Sequence, residues 1–251
     1  MKKEARIAKL IANAGICSRR DAEKLIHAGR VTHNDETVRT PAYNVSDESG
    51  IKVDGQSLTP QTKTYLWKYH KPRGVVSTHK DTHGRKTIHQ DIPPDLGHIM
   101  NVGRLDLESE GLILFTNNGD LAKELMHPSS AIERIYDVTV QGEIPKHMCE
   151  HIHKGVCVKG MNYKPAVCNI LASTSNTQRI VRFTLTEGKN REIRNILSFF
   201  KLRVLKLKRI SYGGITLAPL KPRGFIRVGP QEGNTQFYKI FQKYQNNLAE
   251  Y

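Results

Sequence analysis

Apolar residues recur at helical spacing in two short segments at the start of the chain. The inward-facing positions are Ile7, Leu10 and Ile11 in the first segment and Ala22, Leu25 and Ile26 in the second. Ser18 can cap the second helix, because its hydroxyl can accept a hydrogen bond from a free N–H of the first turn. Gly29 ends that helix, since glycine readily adopts the left-handed conformation that follows many helices. The pattern predicts a pair of short helices.

The pieces "RVTH" and "IKVDG" follow the helix pair and are strand-like. Polar turn residues separate them, so we predict a small sheet on which the two helices pack. The stretch "TPQTKT" at 59–64 is polar, broken by proline and without periodicity, which is typical of a linker. Residues 1–60 are therefore predicted to form one module.

A second, longer pattern begins at "YLWKYHKPRGVVST" and mixes strand-like with helical segments. Strand-like runs lie at 65–69, 74–77, 112–116, 135–140, 180–185 and 204–210. Helical patterns lie at 119–127, 145–154 and 190–200. Near the end of the chain, four apolar or aromatic residues recur at helical spacing, namely Phe237, Phe241, Tyr244 and Leu248. This spacing predicts a terminal helix that docks by one face. The mixture predicts an α/β or α+β sheet with helices packed on it.

The net charge of the chain indicates a class of binding partner. The chain carries 39 Lys and Arg residues against 24 Asp and Glu residues, a formal net charge of +15. A surplus of this size suits a polyanion such as nucleic acid or an anionic membrane surface. Residues 1–30 hold eight basic and three acidic residues, and residues 176–223 hold twelve basic and two acidic residues. Phosphate binding explains the second surplus better than a purely structural helix does.

Hydropathy and cysteine content indicate the compartment. No segment of the sequence approaches the roughly 20 apolar residues needed to cross a bilayer, and the start lacks a continuous apolar signal core. The four cysteines, at positions 17, 149, 157 and 168, form no CxxC pair and are expected to be reduced thiols. We therefore expect a cytoplasmic protein. We also expect a monomer whose partner is RNA and not a membrane.

One carboxylate stands out in the stretch "VGRLDLESEGLILFTNNGDL". Asp106 lies between two leucines, two residues after Arg104, and precedes the apolar run 112–115. Gly103 permits a tight backbone path, so the pattern places the acid in a loop at the lip of a sheet. A helix cap or an ion-pair partner is the usual role of such an acid and is the alternative.

Two further segments could carry chemistry. In "ERIYDVTV", alternation directs Tyr136 to the same face as the two valines, and a core tyrosine is the alternative. In "TEGKNREIRNILSFF", Asn190 stands at the opening of a predicted helix on which Arg191 and Arg194 recur three residues apart, on one face.

Basic residues near the front helices and in a repeated tetrapeptide are candidates for phosphate contact. In the front module they are Arg19, Arg20, Lys24 and Arg30. The tetrapeptide "KPRG" begins at 71 and at 221, and its first copy supplies Lys71 and Arg73. Guanidinium groups bind phosphates well, but a solvated charged face explains the module's cations equally well. We interpret the repetition as coincidence, because the flanking residues share nothing.

The segment "HMCEHIHKGVC" brings three histidines and two cysteines close together in the sequence. On the predicted helix these side chains point to different faces, and their spacing matches no standard zinc module. We therefore predict no metal site here.

The motifs together resemble a family. "KPRGVVST", "GRLDLESEGLILFTNNGDLAKELMHPS", "ERIYDV" and "EGKNREIR", in this order, are similar to the motifs of bacterial ribosomal RNA pseudouridine synthases. The front segment "IAKLIANAGICSRRDAEKLIHAGRV" resembles the small ribosomal-protein-type RNA-binding module that one branch of the family carries. The late segment "LKRISYGGITLAPLKPRG" is most similar to the large-subunit enzymes of that branch. The resemblance spans residues 5–228.

The resemblance implies an α+β fold with an RNA-binding module of a helix pair plus sheet at 1–60 and a catalytic domain with a mixed, mostly antiparallel sheet and flanking helices at 65–232. The helical spacing at the end of the chain adds a C-terminal helical tail at 233–251. It also implies the reaction, which converts uridine to pseudouridine in ribosomal RNA or a pre-ribosomal particle. Because no atom need leave the nucleotide, the reaction requires no metal or redox cofactor.

The resemblance assigns roles to the candidate residues. Asp106 would be the nucleophile, and Arg194 would pair with it, through the two parallel bonds that a guanidinium can offer. Tyr136 would stack on the detached uracil and help to remove the proton from carbon 5. Ile193 would close the apolar side of the pocket. The flipped-out nucleotide and its flanking backbone would be held by Arg104, Arg191 and Asn190.

Departures from the family's usual residues are few. Ser109, Asn118 and Lys189 replace residues of similar size or polarity. Asn195 stands where the family commonly has a second arginine, and Asp35 occupies a turn that often holds glycine, so both bear on the choice of RNA target. None of them removes a presumed reacting group. The same reaction on small-subunit RNA, and a non-catalytic RNA-binding assembly factor, are the alternatives. DNA binding is disfavoured, because neither helix-turn-helix nor zinc-finger spacing occurs.

Overall fold

The computed structural model describes residues 4–46, 48–59, 63–79, 81–175, 177–229 and 231–246. The front of the chain forms two short helices and six short strands. In chain order these are β1 (Ala5–Arg6), α1 (Ile7–Asn13), α2 (Arg19–His27), β2 (Val31–His33), β3 (Glu36–Thr37), β4 (Asn44–Val45), β5 (Ile51–Val53) and β6 (Gln56–Ser57). The predicted helix pair and small sheet are both present.

The front part has a core of its own. The two helices pack on a four-stranded sheet of order β3-β2-β5-β6, and the buried cluster draws only on residues between 5 and 58. The Ser18 side chain accepts a hydrogen bond from the N–H of Asp21 at 3.2 Å, as a helix cap should. Gly29 follows α2 with a left-handed φ of +70°.

The rest of the chain builds one large sheet with helices against it. The further strands are β7 (Leu66–Lys71), β8 (Met100–Val102), β9 (Glu110–Thr116), β10 (Arg134–Gln141), β11 (Val156–Val158), β12 (Met161–Tyr163), β13 (Val167–Ser175), β14 (Gln178–Leu185), β15 (Arg203–Tyr212), β16 (Ile215–Thr216) and β17 (Phe225–Arg227). The further helices are α3 (Gly119–Met126), α4 (Met148–Lys154), α5 (Glu192–Phe199) and α6 (Thr235–Asn246). Short 3₁₀ turns lie at Ile88–Asp91, Pro94–Leu96 and Pro128–Ser130.

The sheet has the strand order β13-β14-β10-β15-β9-β7-β17, with β8 paired to β9 and β16 to β15. Its pairs are antiparallel except for β9 with β15. The α+β architecture with a mostly antiparallel sheet, predicted from the sequence, is thus confirmed. Within the described ranges, no helix combines the length and apolar character that a membrane crossing needs.

Strand β9 separates two hydrophobic cores, because its successive side chains point to opposite faces of the sheet. Ile113 and Phe115 join the larger core, with α4 and α5. Leu112 and Leu114 join the other core, which α3 and α6 cover. The terminal helix α6 contributes the buried Phe237 and Phe241 to this second core, as its spacing predicts. The predicted Leu248 lies outside the described residues, as do residues 60–62 of the predicted linker.

One predicted strand is wrong. A turn at 73–74 is followed by irregular backbone through 77, with one isolated bridge from Val76 to Thr87. Pro72 lacks a backbone N–H and Gly74 has a φ of +79°, so the chain leaves the sheet directly after β7. The N–H of Gly74 donates instead to the carbonyl of Leu107 at 2.8 Å. The "KPRG" turn is therefore bonded to the loop that carries Asp106.

Candidate active site

A cleft of about 1140 Å³ opens between the loop before β9, the middle of β10 and the start of α5. All seven residues singled out in the sequence for catalysis and the substrate pocket lie along it. They are Arg104, Asp106, Tyr136, Asn190, Arg191, Ile193 and Arg194. The sheet thus brings together segments that are up to 90 residues apart in the sequence.

The Asp106 loop is fixed by hydrogen bonds on both sides. Its own turn is closed by the N–H of Ser109, which donates to the carbonyl of Asp106 at 3.0 Å. The Ser77 hydroxyl donates to the carbonyl of Leu105 at 2.8 Å and accepts from the N–H of the same residue at 3.1 Å. The Asp106 side chain itself is only 35% exposed. A carboxylate so held has a defined direction toward the cleft.

Two guanidinium groups approach that carboxylate. Arg191 Nη1 and Arg194 Nε both lie 3.8 Å from Asp106 Oδ2. These are ion-pair distances, so the two parallel hydrogen bonds expected between Arg194 and Asp106 are not present. Arg194 Nη2 instead lies 3.4 Å from both the Glu108 carbonyl and the Ser109 hydroxyl. Burial, together with the positive charge of Arg191, lowers the pKa of the Arg194 guanidinium.

Helix α5 begins later than its sequence pattern predicts. It starts at Glu192, and Arg191 is the residue before its first turn, with a left-handed φ of +52°. The two arginines therefore do not share a helical face. They meet at Asp106 because the turn before α5 directs Arg191 back toward the cleft. Ile193, in the first turn, is buried at the cleft wall.

Tyr136 occupies the middle of β10 and faces the cleft. The alternation along this strand buries positions 134, 136, 138 and 140. Its partners across the sheet are Phe183 on β14 and Arg209 on β15. The ring is 8% exposed, so one part is packed in the core while another lines the cleft.

Lys71, predicted to contact RNA, is buried instead. Its side chain is fully buried, and its Nζ donates to the carbonyls of Ser109 at 2.8 Å, Pro72 at 3.1 Å and Leu107 at 3.4 Å. Burial lowers the pKa of this ammonium to about 8, although Asp106 and Glu110 oppose the shift. The prediction was wrong because Lys71 ends a strand with both faces covered, and its cation stabilises the Asp106 loop.

The other predicted RNA contacts are on the surface. Arg73 and Arg104 are exposed close to the cleft, and Arg73 Nη1 is 3.5 Å from the carbonyl of Leu205. In the front module, Arg19 and Arg20 are exposed at the start of α2. The other two predicted contacts in the module each bind an aspartate, in the pairs Lys24–Asp21 at 2.8 Å and Arg30–Asp54 at 2.6 Å. Whether these residues bind RNA stays a prediction.

Charged residues that the sequence reading missed also line the cleft. Arg134 and Arg209 lie on its floor, next to the ring of Tyr212. Alternation along β10 places Arg134 on the same face as Tyr136, and this signal could have identified it. Arg209 carries no such signal, because it lies in a strand rich in basic residues on both faces.

Glu192 is a second missed feature of the wall. It is 4% exposed at the first position of α5. Burial, and then the nearby negative charge of Glu187, raises the pKa of its carboxyl to about 7. Glu192 therefore holds its proton more strongly than an exposed carboxyl does. Among the described residues, no three His, Cys, Asp or Glu side chains are arranged to hold a metal ion.

Comparisons with known proteins concern the same parts of the chain. A family model described as RNA pseudouridylate synthase matches residues 65–199. The model of the S4 domain matches residues 5–51. The first match contains Asp106, Tyr136 and Arg194, and the second contains both front helices.

Relatives and a solved structure agree with these matches. An uncharacterised RNA pseudouridine synthase of Rickettsia bellii is 45% identical over 223 residues, which cover 89% of this chain and 96% of the relative. The ribosomal large subunit pseudouridine synthase B of Bacillus subtilis is 34% identical over 228 residues, with 90% and 93% covered. A crystal structure of a pseudouridylate synthase superposes with a TM-score of 0.66 at 25% identity, covering 94% of this chain and 99% of that one. By these matches and by its fold, the chain belongs to the RNA pseudouridine synthases, in the form that carries an S4 domain.

Proposed function

We propose that this enzyme isomerises a specific uridine in large-subunit ribosomal RNA, with Asp106 as the nucleophile. The observation that carries the proposal is the meeting of Asp106 with two guanidinium groups, at 3.8 Å each, in a cleft that Tyr136 also lines. Two cations beside one carboxylate attract it and orient it toward the cleft, and RNA binding alone does not require such an arrangement. The large-subunit target rests on the relatives that are named large-subunit enzymes.

The reaction breaks and forms bonds within one nucleotide, and the whole base is kept. The Asp106 carboxylate forms a bond to the reacting nucleotide, the bond between ribose carbon 1′ and base nitrogen 1 breaks, and its electron pair stays on the uracil. Carbon 5 of the turned base then bonds to carbon 1′, and the carboxylate leaves. The proton on carbon 5 departs to a base, a role that we give to Tyr136, and nitrogen 1 gains a proton from solvent.

The cleft can receive a base only if the nucleotide leaves its stack. Asp106 and Tyr136 are both recessed, so a uridine within a duplex cannot reach them, and the target must be flipped out. Arg104, Arg191 and Asn190 line the cleft and would hold the backbone of the flipped nucleotide. Arg19 and Arg20 of the S4 domain would hold the RNA farther away. A cytoplasmic, monomeric enzyme remains part of the proposal.

The substitution Asp106→Asn tests the nucleophile. The amide keeps the volume of the side chain but cannot form the covalent bond, so we expect RNA affinity and melting temperature to stay close to wild type. Tritium release from transcripts of large-subunit ribosomal RNA labelled at uridine carbon 5 should fall by orders of magnitude. Asp95→Asn is the matched control, because Asp95 is exposed and lies in the 3₁₀ turn Pro94–Leu96, outside the cleft. Residual turnover of Asp106→Asn above about 1% of wild type would exclude the covalent role.

Mapping pseudouridines in cells that lack the gene tests the target. We expect one position in large-subunit RNA to stay uridine. Loss of a position in small-subunit RNA would assign the enzyme to the other subunit. Unchanged maps together with a ribosome assembly defect would favour a non-catalytic RNA-binding factor.

A further inference from the structure

Two buried arginines form the floor of the cleft, and neither has a role in the proposed reaction so far. Arg134 is 7% exposed and Arg209 is 2% exposed, yet both line the cleft. Their guanidinium carbons lie 5.0 Å and 5.3 Å from the centre of the Tyr212 ring. Burying a cation is unfavourable unless it meets an anion or enough hydrogen-bond acceptors. These two cations therefore need an anion or further hydrogen-bond acceptors.

In the described part of the chain, the hydrogen bonds of Arg134 go to neutral groups. Its Nη1 donates to the carbonyl of Thr186 at 3.1 Å, and its Nη2 donates to the hydroxyl of Tyr212 at 3.3 Å. That hydroxyl donates in turn to the carbonyl of Leu125 at 2.8 Å. Arg134 and Tyr212 are thus fixed in position, and the residues that the structure describes place no carboxylate within 4.0 Å of the Arg134 guanidinium.

Arg209 has an unused donor. Its Nε donates to the carbonyl of Leu112 at 2.6 Å, whereas its Nη2 is buried and has no hydrogen-bond partner in the described part of the chain. Within the same described ranges, neither arginine has a carboxylate within 4.0 Å. A buried N–H group without an acceptor is rare in folded proteins. Here the cleft is the space from which an acceptor can come.

The strand register places this donor beside the proposed position of the base. Arg209 on β15 is the direct cross-strand partner of Tyr136 on β10. On its other side it pairs with Gly111 of β9, where a Cβ would fall 2.3 Å from the carbonyl oxygen of Arg209. Glycine therefore lets β9, which follows the Asp106 loop, approach Arg209 closely. The donor is held between the two strands that carry or adjoin the reacting groups.

We infer that Arg209 is a further catalytic residue, whose free Nη2 donates to a carbonyl oxygen of the uracil. This inference rests on the proposed function. When the bond from carbon 1′ to nitrogen 1 breaks, the electron pair remains on the ring and spreads onto its oxygens. If Asp106 adds to the base first, the pair from the carbon 5–carbon 6 double bond moves onto oxygen 4. In both routes a carbonyl oxygen becomes negative, and a preorganised buried cation stabilises that charge.

A phosphate is the other oxygen anion that RNA could present, and depth argues against it. Exposed cations stand at the rim of the cleft, where Arg104 is exposed and the Arg191 side chain is 48% exposed. Arg209 lies on the floor beside the largely buried Tyr136 ring. A flipped uridine enters with its base first, so the base reaches the floor and its phosphates stay at the rim.

The test compares two leaving groups. Transcripts of large-subunit ribosomal RNA are made with uridine or with 5-fluorouridine, and loss of the original nucleoside is followed by chromatography of nuclease digests, with enzyme in excess. Fluorine withdraws electrons and stabilises the anionic ring, so the reaction then depends less on a protein cation. We expect Arg209→Met to slow the uridine reaction by about a hundredfold. The factor by which it slows the 5-fluorouridine reaction should be at least threefold smaller. The Kd for RNA should stay within twofold of wild type.

Controls separate this role from a structural one. Arg227→Met makes the same change at an exposed arginine that also stacks on a tyrosine, Tyr65, at 4.2 Å, and it should leave both reactions unchanged. If Arg209→Met does not fold by circular dichroism, Arg209→Lys takes its place, and the ratio of its two rate losses decides. Equal losses on both transcripts, or a tenfold weaker Kd at a normal rate, overturn the inference. A wild-type enzyme that converts neither transcript would instead overturn the proposed function.

Discussion

Arg194 approaches Asp106 with one nitrogen at 3.8 Å and uses its other end to contact the Glu108 carbonyl and the Ser109 hydroxyl at 3.4 Å. A planar guanidinium can do both at once, whereas a lysine ammonium offers a single centre. We therefore expect Arg194→Lys to lower the single-turnover rate by roughly tenfold to a hundredfold, about 1.4 to 2.8 kcal/mol. RNA affinity at fixed salt should fall only slightly, because the charge is kept.

Arg203→Lys is the matched control for this substitution, since Arg203 is exposed at the start of β15 and outside the cleft. It should leave the rate unchanged. If Arg194→Lys instead binds RNA tenfold more weakly, a loss of about 1.4 kcal/mol, and turns over bound RNA normally, Arg194 is a phosphate anchor.

The sequence predicts the position of some functional residues and not of others. The motifs located Asp106, Tyr136 and Arg194, which the fold brings to one cleft. The same reading placed Lys71 on the surface, because a basic turn normally faces water and nothing in the sequence shows that three carbonyls surround its ammonium. It also missed Arg209, whose burial depends on strands that are distant in the sequence. Burial of a charge is a property of the tertiary fold.

At the scale of one element, α2 places two arginines where helix formation disfavours them. Arg19 and Arg20 occupy the first two positions of the helix, near the positive end of its dipole. Phosphate binding would explain the position of these cations, since a helix N-terminus and two guanidinium groups attract the same anion. We expect Arg19→Gln with Arg20→Gln to reduce the slope of log K against log salt by about 1.5 to 2. The melting temperature should stay the same or rise slightly, as the unfavourable charges are gone.

The paired cations of the same domain provide the control. Lys24 and Arg30 already face Asp21 and Asp54 at 2.8 Å and 2.6 Å, so Lys24→Gln with Arg30→Gln should change the slope less. Slopes are measured by filter binding to ribosomal RNA between 50 and 200 mM salt, a range typical of such work. Equal slope changes in the two double variants would show that helix position does not select the RNA contacts.

Elements were predictable where periodicity was strong. The strands near 112–116, 135–140 and 180–185 are confirmed, because apolar alternation or a continuous apolar run marks them. The predicted strand at 74–77 failed because Pro72 and Gly74 act on the backbone, and backbone turns outweigh the apolar pair that follows them. The start of α5 was placed two residues early, since the turn at Arg191 uses a left-handed conformation that side-chain patterns do not reveal.

At the scale of the whole molecule, the hydrophobic clusters divide along the chain. One cluster uses residues between 5 and 58, and the other two use residues from 65 onward. Polar contacts join the two parts. Lys9 Nζ lies 2.7 Å from Asp120 Oδ2, and the N–H of His98 lies 3.4 Å from the carbonyl of Gly15. A partly exposed ion pair of this kind contributes roughly 0 to 1 kcal/mol, so this pair adds little to the stability of either part.

This division leads to a prediction about the S4 domain. A protein that starts at Lys63 keeps both cores of the synthase domain, the cleft and helix α6. We expect it to unfold in one cooperative transition and to isomerise a short RNA that contains the target uridine. Its affinity for structured ribosomal RNA should be lower, with a flatter salt dependence, because the phosphate contacts of Arg19 and Arg20 are gone. An unchanged salt slope would show that the S4 domain does not hold the RNA, and a non-cooperative transition would show that the synthase domain needs the S4 domain to fold.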